Sequence, residues 1–490
     1  MKQIIVVGAG IGGLATSVRL ALKGYKVHVF EANNYPGGKL TEFKNNGYRF
    51  DLGPSLFTMP HFVTELFEMA GENPDDHFRY SKKTVACNYF WKDKTKFKAY
   101  ADKQAFLEEV AHVFNEPLQN VEQYLQKAKT KYELTSSLFL EKSLHKLKTY
   151  LTTDTIKALL QLPVFELQKT LHQVNVDAFT SDKLVQLFDR YATYNGSDPY
   201  QTSGMMTLIQ HLEGTFGTFV PNGGMVAITN SVYALAKRLG VTFEFNTPVQ
   251  EIVIEGKLVK GVQTQDSFYA ACIVVSNMDI HPTYKRLLPK EKAPKKQLSQ
   301  ERSSSAIIFY WGIKNVFKTL DLHNIFFSDD YKTEFDSIFK NEMVSDDPTI
   351  YVNITSKDVP EDAPSGCENW FVMINSPADK GQDWDTMVSK LRTTVIDKLS
   401  KELEVDLSSL IVCEEVLTPP LIQSKTQSHL GALYGSSSNN SFAAFLRHPN
   451  FSSRIKNLYF CGGSVHPGGG IPLCLLSAKI VDELIPSANL

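Results

Sequence analysis

The stretch QIIVVGAGIGGL, residues 3–14, decides the fold of this chain. Residues 3–7 form a short apolar, β-branched run, which is typical of a buried parallel strand. Glycines follow at once at positions 8, 10 and 13. In such a turn Gly8 permits the sharp change of direction, Gly10 lets the backbone approach a pyrophosphate, and Gly13 allows close helix packing. The stretch therefore predicts a strand, a tight turn and a helix whose N-terminus faces phosphate groups.

The residues after this turn extend the pattern into a dinucleotide-binding unit. Apolar side chains recur at helical spacing over residues 14–22, Gly24 supplies a helix stop, and residues 25–30 read as a second strand that leads into Glu31. A carboxylate at this position accepts hydrogen bonds from the ribose hydroxyls of an adenosine and disfavours a 2′-phosphate. An isolated GxGxxG can be an ordinary glycine-rich turn, but the order strand, glycines, helix, strand and acid favours dinucleotide binding.

Glycine-rich turns recur downstream and towards the other end of the chain. They are PGGK (residues 36–39), DLGPS (51–55), NLYFCGG (457–463) and HPGGGIP (466–472). Together they resemble the flavin amine oxidase and carotenoid desaturase superfamily, in which such turns approach the ribityl chain, the pyrophosphate and the isoalloxazine ring of the flavin. The resemblance continues at FVPNGGM (219–225) and at residues 274–277, so it covers both ends and the middle of the chain. The cofactor that it implies is FAD.

The resemblance also implies which residues contact this cofactor. Lys39 stands where many members have arginine, and the helix that opens at Ile471 and Pro472 directs its N-terminal dipole at the electron-rich pyrimidine end of the flavin. The residue at Val249 contacts adenine through its backbone in the family, although a valine there can also be an ordinary core residue. The predicted cofactor-binding residues are Gly8, Gly10, Gly12, Gly13, Glu31, Gly38, Lys39, Gly53, Pro54, Ser55, Leu56, Val249, Asn277, Gly462, Gly463, Gly470, Ile471 and Pro472.

These motifs predict an α/β fold with a Rossmann-like FAD-binding domain of the flavin amine oxidase type that is discontinuous in sequence. At 490 residues the chain is long for a single hydrophobic core, so we expect several lobes. The expected FAD-binding domain comprises residues 1–82, 205–282 and 427–490. The expected α+β substrate domain comprises residues 83–100, 152–204 and 283–426, and residues 101–151 form a helical, membrane-facing lobe.

Aromatic residues between the cofactor turns indicate the substrate. The stretch RYATY (190–194) and the ending HPGGGIPL resemble hydroxycarotenoid 3,4-desaturases more than phytoene desaturases, which more often end HPGAGIPG. The implied function is an FAD-dependent desaturase that introduces a C-3,4 double bond into 1-hydroxylated acyclic carotenoid ends. Arg190, Tyr191 and Tyr194 are the predicted substrate residues, with core packing as the alternative role. The alternative functions are a phytoene desaturase, another flavin amine oxidase-type oxidoreductase, and a lipid carrier without catalysis.

The chemistry of such a substrate requires a cofactor, because ordinary side chains are not oxidants. The resemblance implies hydride transfer to flavin N5 and proton loss from the adjacent carbon, with a quinone or oxygen as the electron acceptor. No carboxylate pair or Ser/His/Asp constellation is recognisable, so the catalytic residues stay unassigned, Asp189 and His466 included. For His466 the favoured interpretation is a side chain that orients its loop. The six cysteines are scattered without a CxxC pair, and no metal site is expected.

A carotenoid is nearly all hydrocarbon, and at ~0.8 kcal/mol per buried CH₂ it must be taken from a membrane rather than from water. An amphipathic helix is predicted for this contact, although its charged face can also be simply solvated. Its lysines are Lys127, Lys129 and Lys131, its apolar face is Leu134, Leu138, Leu140, Leu144, Leu147 and Leu151, and Lys142, His145 and Lys146 lie opposite. A second basic contact is Lys290, Lys292, Lys295 and Lys296.

The overall composition supports a cytoplasmic, peripherally membrane-associated protein. No apolar run reaches the length of a membrane-spanning helix. The chain holds 51 basic and 53 acidic residues, a balance that gives no reason to expect a nucleic-acid partner.

Overall fold

A computed structural model describes residues 2–136, 140–146, 149, 161–440 and 447–488. Its helices of eight residues or more are α1 (Ile11–Leu22), α2 (His61–Met69), α3 (Lys103–Phe114), α4 (Leu118–Thr135), α5 (Leu171–Ala178), α6 (Asp182–Asp189), α7 (Val226–Arg238), α8 (Tyr331–Phe339), α9 (Trp384–Leu403), α10 (Pro419–Thr426) and α11 (Ile471–Leu484). Its strands are β1 (Gln3–Val7), β2 (Lys26–Phe30), β3 (Glu42–Asn45), β4 (Tyr48–Asp51), β5 (Tyr80–Lys82), β6 (Val85–Phe90), β7 (Lys96–Tyr100), β8 (Phe219–Pro221), β9 (Thr242–Glu244), β10 (Glu251–Glu255), β11 (Leu258–Gln263), β12 (Phe268–Ala270), β13 (Ile273–Ser276), β14 (Ser305–Ile313), β15 (His323–Phe326), β16 (Ile350–Asn353), β17 (Glu368–Ser376), β18 (Ile411–Leu417) and β19 (Leu458–Phe460).

A five-stranded parallel sheet runs in the order β19, β13, β1, β2, β9, so the first strand of the chain lies at its centre. Because side chains alternate along a strand, Ile4 and Val6 point to one face and Ile5 and Val7 to the other, and all four are buried. The first pair packs with α1, α2, α7 and α11. The second pair packs with the three-stranded sheet of β10, β11 and β12. Burial on both faces explains the unbroken apolar sequence of β1.

A seven-stranded sheet runs in the order β18, β14, β17, β16, β15, β6, β7. Its neighbours are antiparallel except for β15 and β6, which are parallel. One face, with Phe309 and Trp311, packs on α9. The opposite face carries Tyr89, Tyr310 and Tyr351, and it packs towards the β3–β4 hairpin and towards α5 and α6.

The two sheets draw on the separate segments that the motifs predict. The strands of the parallel sheet lie within residues 1–82, 205–282 and 427–490. The strands of the seven-stranded sheet lie within residues 83–100 and 283–426. The predicted α/β fold class, with a parallel-sheet region assembled from distant parts of the chain, is confirmed, while the domain boundaries stay a prediction.

The predicted amphipathic helix does not continue through residues 141–146. α4 ends at Thr135, and residues 141–146 form bends and turns instead of a helix. Leu138, Leu147 and Leu151 lie outside the described residues. Among the helices that the structure describes, none combines the length and the apolar character needed to cross a bilayer.

Lys131, one of the lysines of the predicted membrane-contacting helix, lies neither on an exposed face for a membrane nor on a solvated one. Its side chain on α4 is buried, and Nζ donates hydrogen bonds to Glu166, to the Gly204 carbonyl at 2.9 Å and to Thr207 Oγ1 at 2.8 Å. Lys129, in contrast, is exposed on the same helix. The ammonium of Lys131 is buried because three acceptors from outside the helix bind it. The helical spacing of apolar residues in the sequence cannot predict these partners.

Candidate cofactor and substrate site

Four of the predicted cofactor residues meet at the carboxyl edge of the parallel sheet. Gly8 follows β1, Glu31 follows β2, Asn277 follows β13, and Gly462 comes just after β19. The carboxyl ends of parallel strands line the crevice in which open α/β sheets bind their ligands. Residues predicted from widely separated stretches therefore lie at one edge of one sheet.

The turn between β1 and α1 is packed so closely that it excludes side chains. Gly8 has a φ of +96° and donates its N–H to the Phe30 carbonyl at 2.8 Å. A Cβ on Gly13 would lie 2.1 Å from the Gly8 carbonyl oxygen. A Cβ on Gly10 or Gly12 would lie 2.8 Å from the side-chain amide of Asn277. The N-terminus of α1 thus presents bare backbone, and no acidic residue occupies its first turn.

Glu31 is buried and holds this turn from the side of β2. Its Oε2 accepts the Ala9 N–H at 2.7 Å, and its Oε1 accepts the Asn33 N–H at 2.9 Å. A carboxylate offers about four acceptor positions, so two remain for hydroxyl donors. The backbone carbonyl of Glu31 accepts the Thr247 N–H at 2.9 Å, which brings the segment containing the half-buried Val249 to the same end of the sheet.

The second glycine turn packs directly on the first. Gly37 donates its N–H to the Ala9 carbonyl at 2.8 Å, and a Cβ on Gly38 would lie 3.5 Å from the Gly10 Cα. Lys39 extends from this turn and donates to the Leu433 carbonyl at 2.9 Å. Burial of the ammonium lowers the pKa of Lys39 to about 8, while nearby Asp279 and Cys474 raise it. At neutral pH Lys39 is therefore mostly a cation held by main-chain oxygen.

The loop of Gly53, Pro54, Ser55 and Leu56 follows β4 and is half-buried. A Cβ on Gly53 would lie 2.2 Å from the Lys39 carbonyl oxygen, so this loop and the second glycine turn share a backbone contact. Pro54 and Leu56 flank Ser55, whose hydroxyl is joined to that of Tyr351 at 2.9 Å. The loop therefore bridges the cofactor turns and the seven-stranded sheet.

A buried arginine clamp, which sequence reasoning missed, fixes the start of this loop. Arg49 on β4 binds Asp51 with Nη1–Oδ1 2.9 Å and Nη2–Oδ2 3.2 Å, and it binds Asp362 with Nη2–Oδ2 2.8 Å. The Asp51 carboxylate also accepts the N–H groups of Met225 and Val226 at the start of α7. Despite its burial, the pKa of Arg49 is raised by these carboxylates. The clamp ties together β4, α7 and the turn Pro360–Asp362, which connects β16 to β17.

Asn277 connects the first and last parts of the chain. Its N–H donates to the Val7 carbonyl at 2.8 Å, and its side-chain oxygen accepts the Cys461 thiol at 3.5 Å. Gly462 has a φ of +95°, and a Cβ there would lie 2.7 Å from Asn277 Oδ1. Gly463 packs on Gly469, since a Cβ there would lie 3.1 Å from the Gly469 Cα. These contacts hold both glycine turns against the same asparagine.

A second helix N-terminus lies beside this turn. α11 begins at Ile471 and Pro472 after Gly470, whose φ is +107°, and its first turn carries no acidic residue. A Cβ on Gly470 would meet no described atom within 4 Å. Two helix N-termini without acids of their own, a glycine cradle and a carboxylate with acceptor positions to spare form a donor and acceptor set that suits FAD.

His466 anchors the segment that leads to α11. Its Nε2 donates to the Lys142 carbonyl at 2.9 Å, and its N–H donates to the His448 carbonyl at 3.0 Å. Burial lowers the pKa of His466 to about 4, so the imidazole is neutral. These contacts agree with a role in orienting the loop.

The predicted substrate residues form a buried cluster around one guanidinium. Arg190 lies in the helical turn Arg190–Asn195, and its guanidinium carbon lies 5.2 Å from the ring centroid of Tyr89, 4.9 Å from that of Tyr191 and 5.2 Å from that of Tyr194. Its Nη2 donates to the Tyr89 hydroxyl at 2.6 Å. Glu213 forms an ion pair with Arg190 at 3.6 Å.

The hydroxyls of this cluster are largely committed to Glu213. Tyr191 donates to Glu213 Oε1 at 2.9 Å, and Tyr194 donates to Oε2. Burial raises the pKa of both tyrosines, so both keep their protons. The two tyrosines therefore offer ring faces rather than free hydroxyls. Sequence reasoning missed Glu213, because its partners stand 19 to 23 residues away in the chain without a recognisable motif.

Comparisons with known proteins extend this description. The chain matches the family model described as flavin containing amine oxidoreductase over residues 11–481. It is 54% identical over 489 residues to a 1-hydroxycarotenoid 3,4-desaturase from Flavobacterium sp. (strain P99-3), with 100% of both chains covered. It is 31% identical over 510 residues to a phytoene desaturase from Fusarium fujikuroi, with 99% of this chain and 89% of that one covered.

Solved structures share the fold at low sequence identity. An oxidoreductase from Methanosarcina mazei superposes with a TM-score of 0.64 at 14% identity, over 98% of this chain and 100% of that chain. The likeness extends over both sheets because it covers nearly the whole length of each chain.

Proposed function

The chain belongs to the family of flavin containing amine oxidoreductases, and from that premise we propose that it is a 1-hydroxycarotenoid 3,4-desaturase. It is an FAD-dependent oxidoreductase of the desaturase type. The observation that carries the finer proposal is the full-length similarity to the Flavobacterium desaturase, which exceeds the similarity to the phytoene desaturase. The substrate is then a carotenoid with a 1-hydroxylated acyclic end, oxidised between C3 and C4.

Within this proposal the cofactor is held at the carboxyl edge of the parallel sheet. Glu31 accepts hydrogen bonds from the ribose, the turn at Gly10 and Gly12 contacts the pyrophosphate, and the N-terminus of α11 approaches the flavin ring. When bound, FAD supplies the acceptor for the hydride that leaves the substrate, while the second hydrogen leaves as a proton. The same role is proposed for the remaining predicted cofactor residues, including Val249 and Ser55.

The chain's own residues supply position and an apolar environment. The aromatic face of the seven-stranded sheet, with Tyr89 and Tyr351, lies beside the loop of residues 53–56. Rings at this place can align a polyene without specific polar contacts, because they bury area at low entropic cost. Arg190 is fixed between three rings and Glu213, so its charge is balanced inside the protein. We propose that Arg190, Tyr191 and Tyr194 line the path of the substrate.

The carotenoid is taken from a membrane, and exposed lysines make the first contact. Lys290, Lys292, Lys295 and Lys296 are exposed and close together in sequence. Lys290 is paired with Glu251 at 2.8 Å, so the other three are the stronger candidates for lipid phosphates. Peripheral attachment through this basic segment replaces the amphipathic helix as the proposed docking element. The electron acceptor is a quinone or oxygen.

The test is to incubate the FAD-loaded protein with liposomes that carry either phytoene or a 1-hydroxylated acyclic carotenoid, and to record absorption spectra. A red shift with the hydroxylated substrate alone supports 3,4-desaturation. A shift with phytoene makes the protein a phytoene desaturase, and no shift with either removes the carotenoid assignment. Purified protein that carries no flavin would favour the lipid carrier.

A further inference from the structure

His323 is a buried histidine with one ring nitrogen committed and the other unused. It begins β15, on the sheet face that also carries Tyr351, and it is 3% exposed. Its Nδ1 lies 2.7 Å from the Tyr351 hydroxyl and 3.2 Å from Asn353 Nδ2. Among the described residues, Nε2 has no hydrogen-bond partner. An unsatisfied buried donor or acceptor destabilises the protein, so its presence calls for a ligand or another functional reason.

The neighbours of His323 determine where its proton lies. Asn353 Nδ2 donates to the Leu322 carbonyl at 3.1 Å, which fixes the orientation of the amide, so Nδ2 can only donate to His323 Nδ1 as well. Burial lowers the pKa of His323 to about 3, with a further contribution from Lys83, so the ring is neutral. A neutral imidazole whose Nδ1 accepts carries its proton on Nε2. The unused nitrogen is therefore an N–H donor that requires an acceptor.

A hydrogen-bond chain leads from His323 to the loop predicted to approach the flavin. Since His323 Nδ1 accepts, the Tyr351 hydroxyl donates to it and in turn accepts from Ser55 Oγ at 2.9 Å. Ser55 lies in the loop of residues 53–56, which contacts the backbone of Lys39 through Gly53. Only the side chain of Tyr351 therefore separates His323 from Ser55, which is a proposed flavin contact.

The proposed substrate has one polar group close to the bond that is oxidised. Its hydroxyl is on C1, and a single carbon separates C1 from C3. When C3 and C4 lie against the flavin, the hydroxyl lies within one side-chain length of it. The remainder of the molecule near this end is hydrocarbon, so the hydroxyl needs a partner from the protein once it leaves water.

We infer that His323 Nε2–H donates a hydrogen bond to the C1 hydroxyl of the substrate and thereby selects hydroxylated over non-hydroxylated ends. Tyr351 is the positioning residue, because its bond to Nδ1 holds the ring and its tautomer. The inference rests on the proposed function and adds the residue that determines its specificity. Arg190 Nε is also buried without a partner among the described residues, but the hydrogen bonds of Arg190 lead to Tyr89 and Thr193 and not to the loop of residues 53–56.

The experiment compares two carotenoids with the same carbon skeleton, with and without the C1 hydroxyl, in liposomes. The variants are His323→Leu, which removes the donor, and His323→Gln, which keeps an N–H. A third variant, Tyr351→Phe, removes the hydroxyl that binds His323 Nδ1 and Ser55 Oγ. Tyr310→Phe is the matched control, because its hydroxyl binds the Leu52 carbonyl before the same loop but does not contact His323. The readouts are the ratio of kcat/KM for the two substrates, the ratio of their equilibrium affinities, and the FAD content.

We expect His323→Leu to lower the preference for the hydroxylated substrate about tenfold in both ratios, since one hydrogen bond is lost. His323→Gln should recover most of the preference, Tyr351→Phe should lower it partly, and Tyr310→Phe should leave it unchanged. An unchanged preference in His323→Leu with normal FAD content overturns the inference. If His323→Leu does not fold, an unchanged preference in Tyr351→Phe overturns it instead. A wild-type protein inactive on both substrates refutes the proposed function, and the inference falls with it.

Discussion

Glu31 has two roles that substitutions can separate. Its carboxylate holds the glycine turn through the Ala9 N–H and is proposed to accept the ribose hydroxyls. We expect Glu31→Ala to weaken FAD binding about 10- to 100-fold, because it removes hydrogen bonds to a charged acceptor worth about 1.5–3 kcal/mol. Glu31→Gln should lose less, since one oxygen remains. Isothermal titration of the apoprotein with FAD measures both.

A half-buried glutamate away from the sheet edge provides the control for this prediction. Glu72→Ala removes a carboxylate that binds Arg238 at the surface, away from the cofactor turns, and it should leave the FAD affinity unchanged. Unchanged FAD affinity in Glu31→Ala would remove the assignment of Glu31 to the ribose.

His448 should make the protein sensitive to acid. Its Nδ1 donates to the Pro449 carbonyl at 2.7 Å and its Nε2 accepts from the Tyr284 hydroxyl at 3.2 Å, so both nitrogens of the buried, neutral ring are satisfied. Burial lowers the pKa of His448 from 6.5 to about 4. Between pH 6.5 and 4, His448 is protonated in the unfolded chain but stays neutral in the folded protein. The free energy of unfolding therefore falls as the pH drops towards 4, by up to about 1.4 kcal/mol per pH unit.

The variant His448→Gln isolates this contribution, since glutamine can donate and accept in the same place without titrating. We expect the difference in unfolding free energy between wild type and variant, measured by urea denaturation, to change across pH 6.5 to 4 and to be constant above pH 7. A difference that does not depend on pH would show that folding does not lower the pKa of His448.

At the scale of single residues, the glycine turns and Glu31 could be predicted because backbone chemistry restricts the residue types there. Gly13 is an example, since any Cβ would meet the Gly8 carbonyl. Asp362 and Glu213 could not be predicted, because a carboxylate that pairs with a distant arginine has no local signature. Asp362 is 313 positions from Arg49.

Among the elements, the strand β4 depends on the Arg49 clamp. We expect Arg49→Lys to destabilise the protein by about 2–3 kcal/mol and to weaken FAD binding, because an ammonium cannot reproduce the planar fork towards Asp51 and Asp362. Thermal unfolding and FAD titration measure the two effects. Arg238→Lys is the matched control: Arg238 binds Glu72 with two nitrogens at the surface and should lose less than about 1 kcal/mol. Equal losses in the two variants would contradict a special role of the clamp.

The helix α4 offers a matched pair of lysines. We expect Lys131→Ala to destabilise the protein by about 2 kcal/mol, because the Gly204 carbonyl and Glu166 lose a charged donor. Lys129→Ala breaks only an exposed contact with Glu133 at 3.7 Å and should cost less than about 0.5 kcal/mol. Urea denaturation measures the free energy of unfolding of both variants. Equal values would mean that the ammonium of Lys131 is solvated.

The sequence pattern predicted helical character for α4 but not which face is buried. An alternation of lysine and leucine is compatible with membrane docking and with a face inside the protein, and the difference depends on what other elements bring near it. Glu166, Gly204 and Thr207 come from later segments, so the burial of Lys131 follows from tertiary structure alone.

For the whole molecule, the proposed cofactor site joins three distant segments. We expect FAD to slow hydrogen–deuterium exchange together in residues 8–13, 275–279 and 462–472, because a ligand that binds at the shared sheet edge stabilises all three. The helix α9, on the far face of the seven-stranded sheet, is the internal control and should not change. Protection confined to residues 8–13 would mean that the later segments do not contact the cofactor.

The parallel sheet could be predicted further than the antiparallel one. Its strands β1 and β19 lead into glycine turns, and β2 leads into an acidic residue. These residue types are restricted at those positions because the backbone turns sharply there or because a ligand is bound. The strands of the seven-stranded sheet are not followed by such motifs. Its single parallel pair joins β6 to β15, which are more than 200 residues apart. Hydrophobic alternation can indicate a strand, but it cannot select a partner at that distance.

The central position of β1 has a consequence for biosynthesis. On the ribosome β1 can pair with β2 at once, but its other edge stays open until β13 has emerged, and β13 waits in turn for β19 near the C-terminus. An open strand edge is a template for association with other chains, so the nascent protein is vulnerable for most of its translation. The proposed FAD site is complete only after β19 and residues 462–472 have emerged, so we expect a low supply of FAD to lengthen the time during which newly made chains are exposed to aggregation and proteolysis.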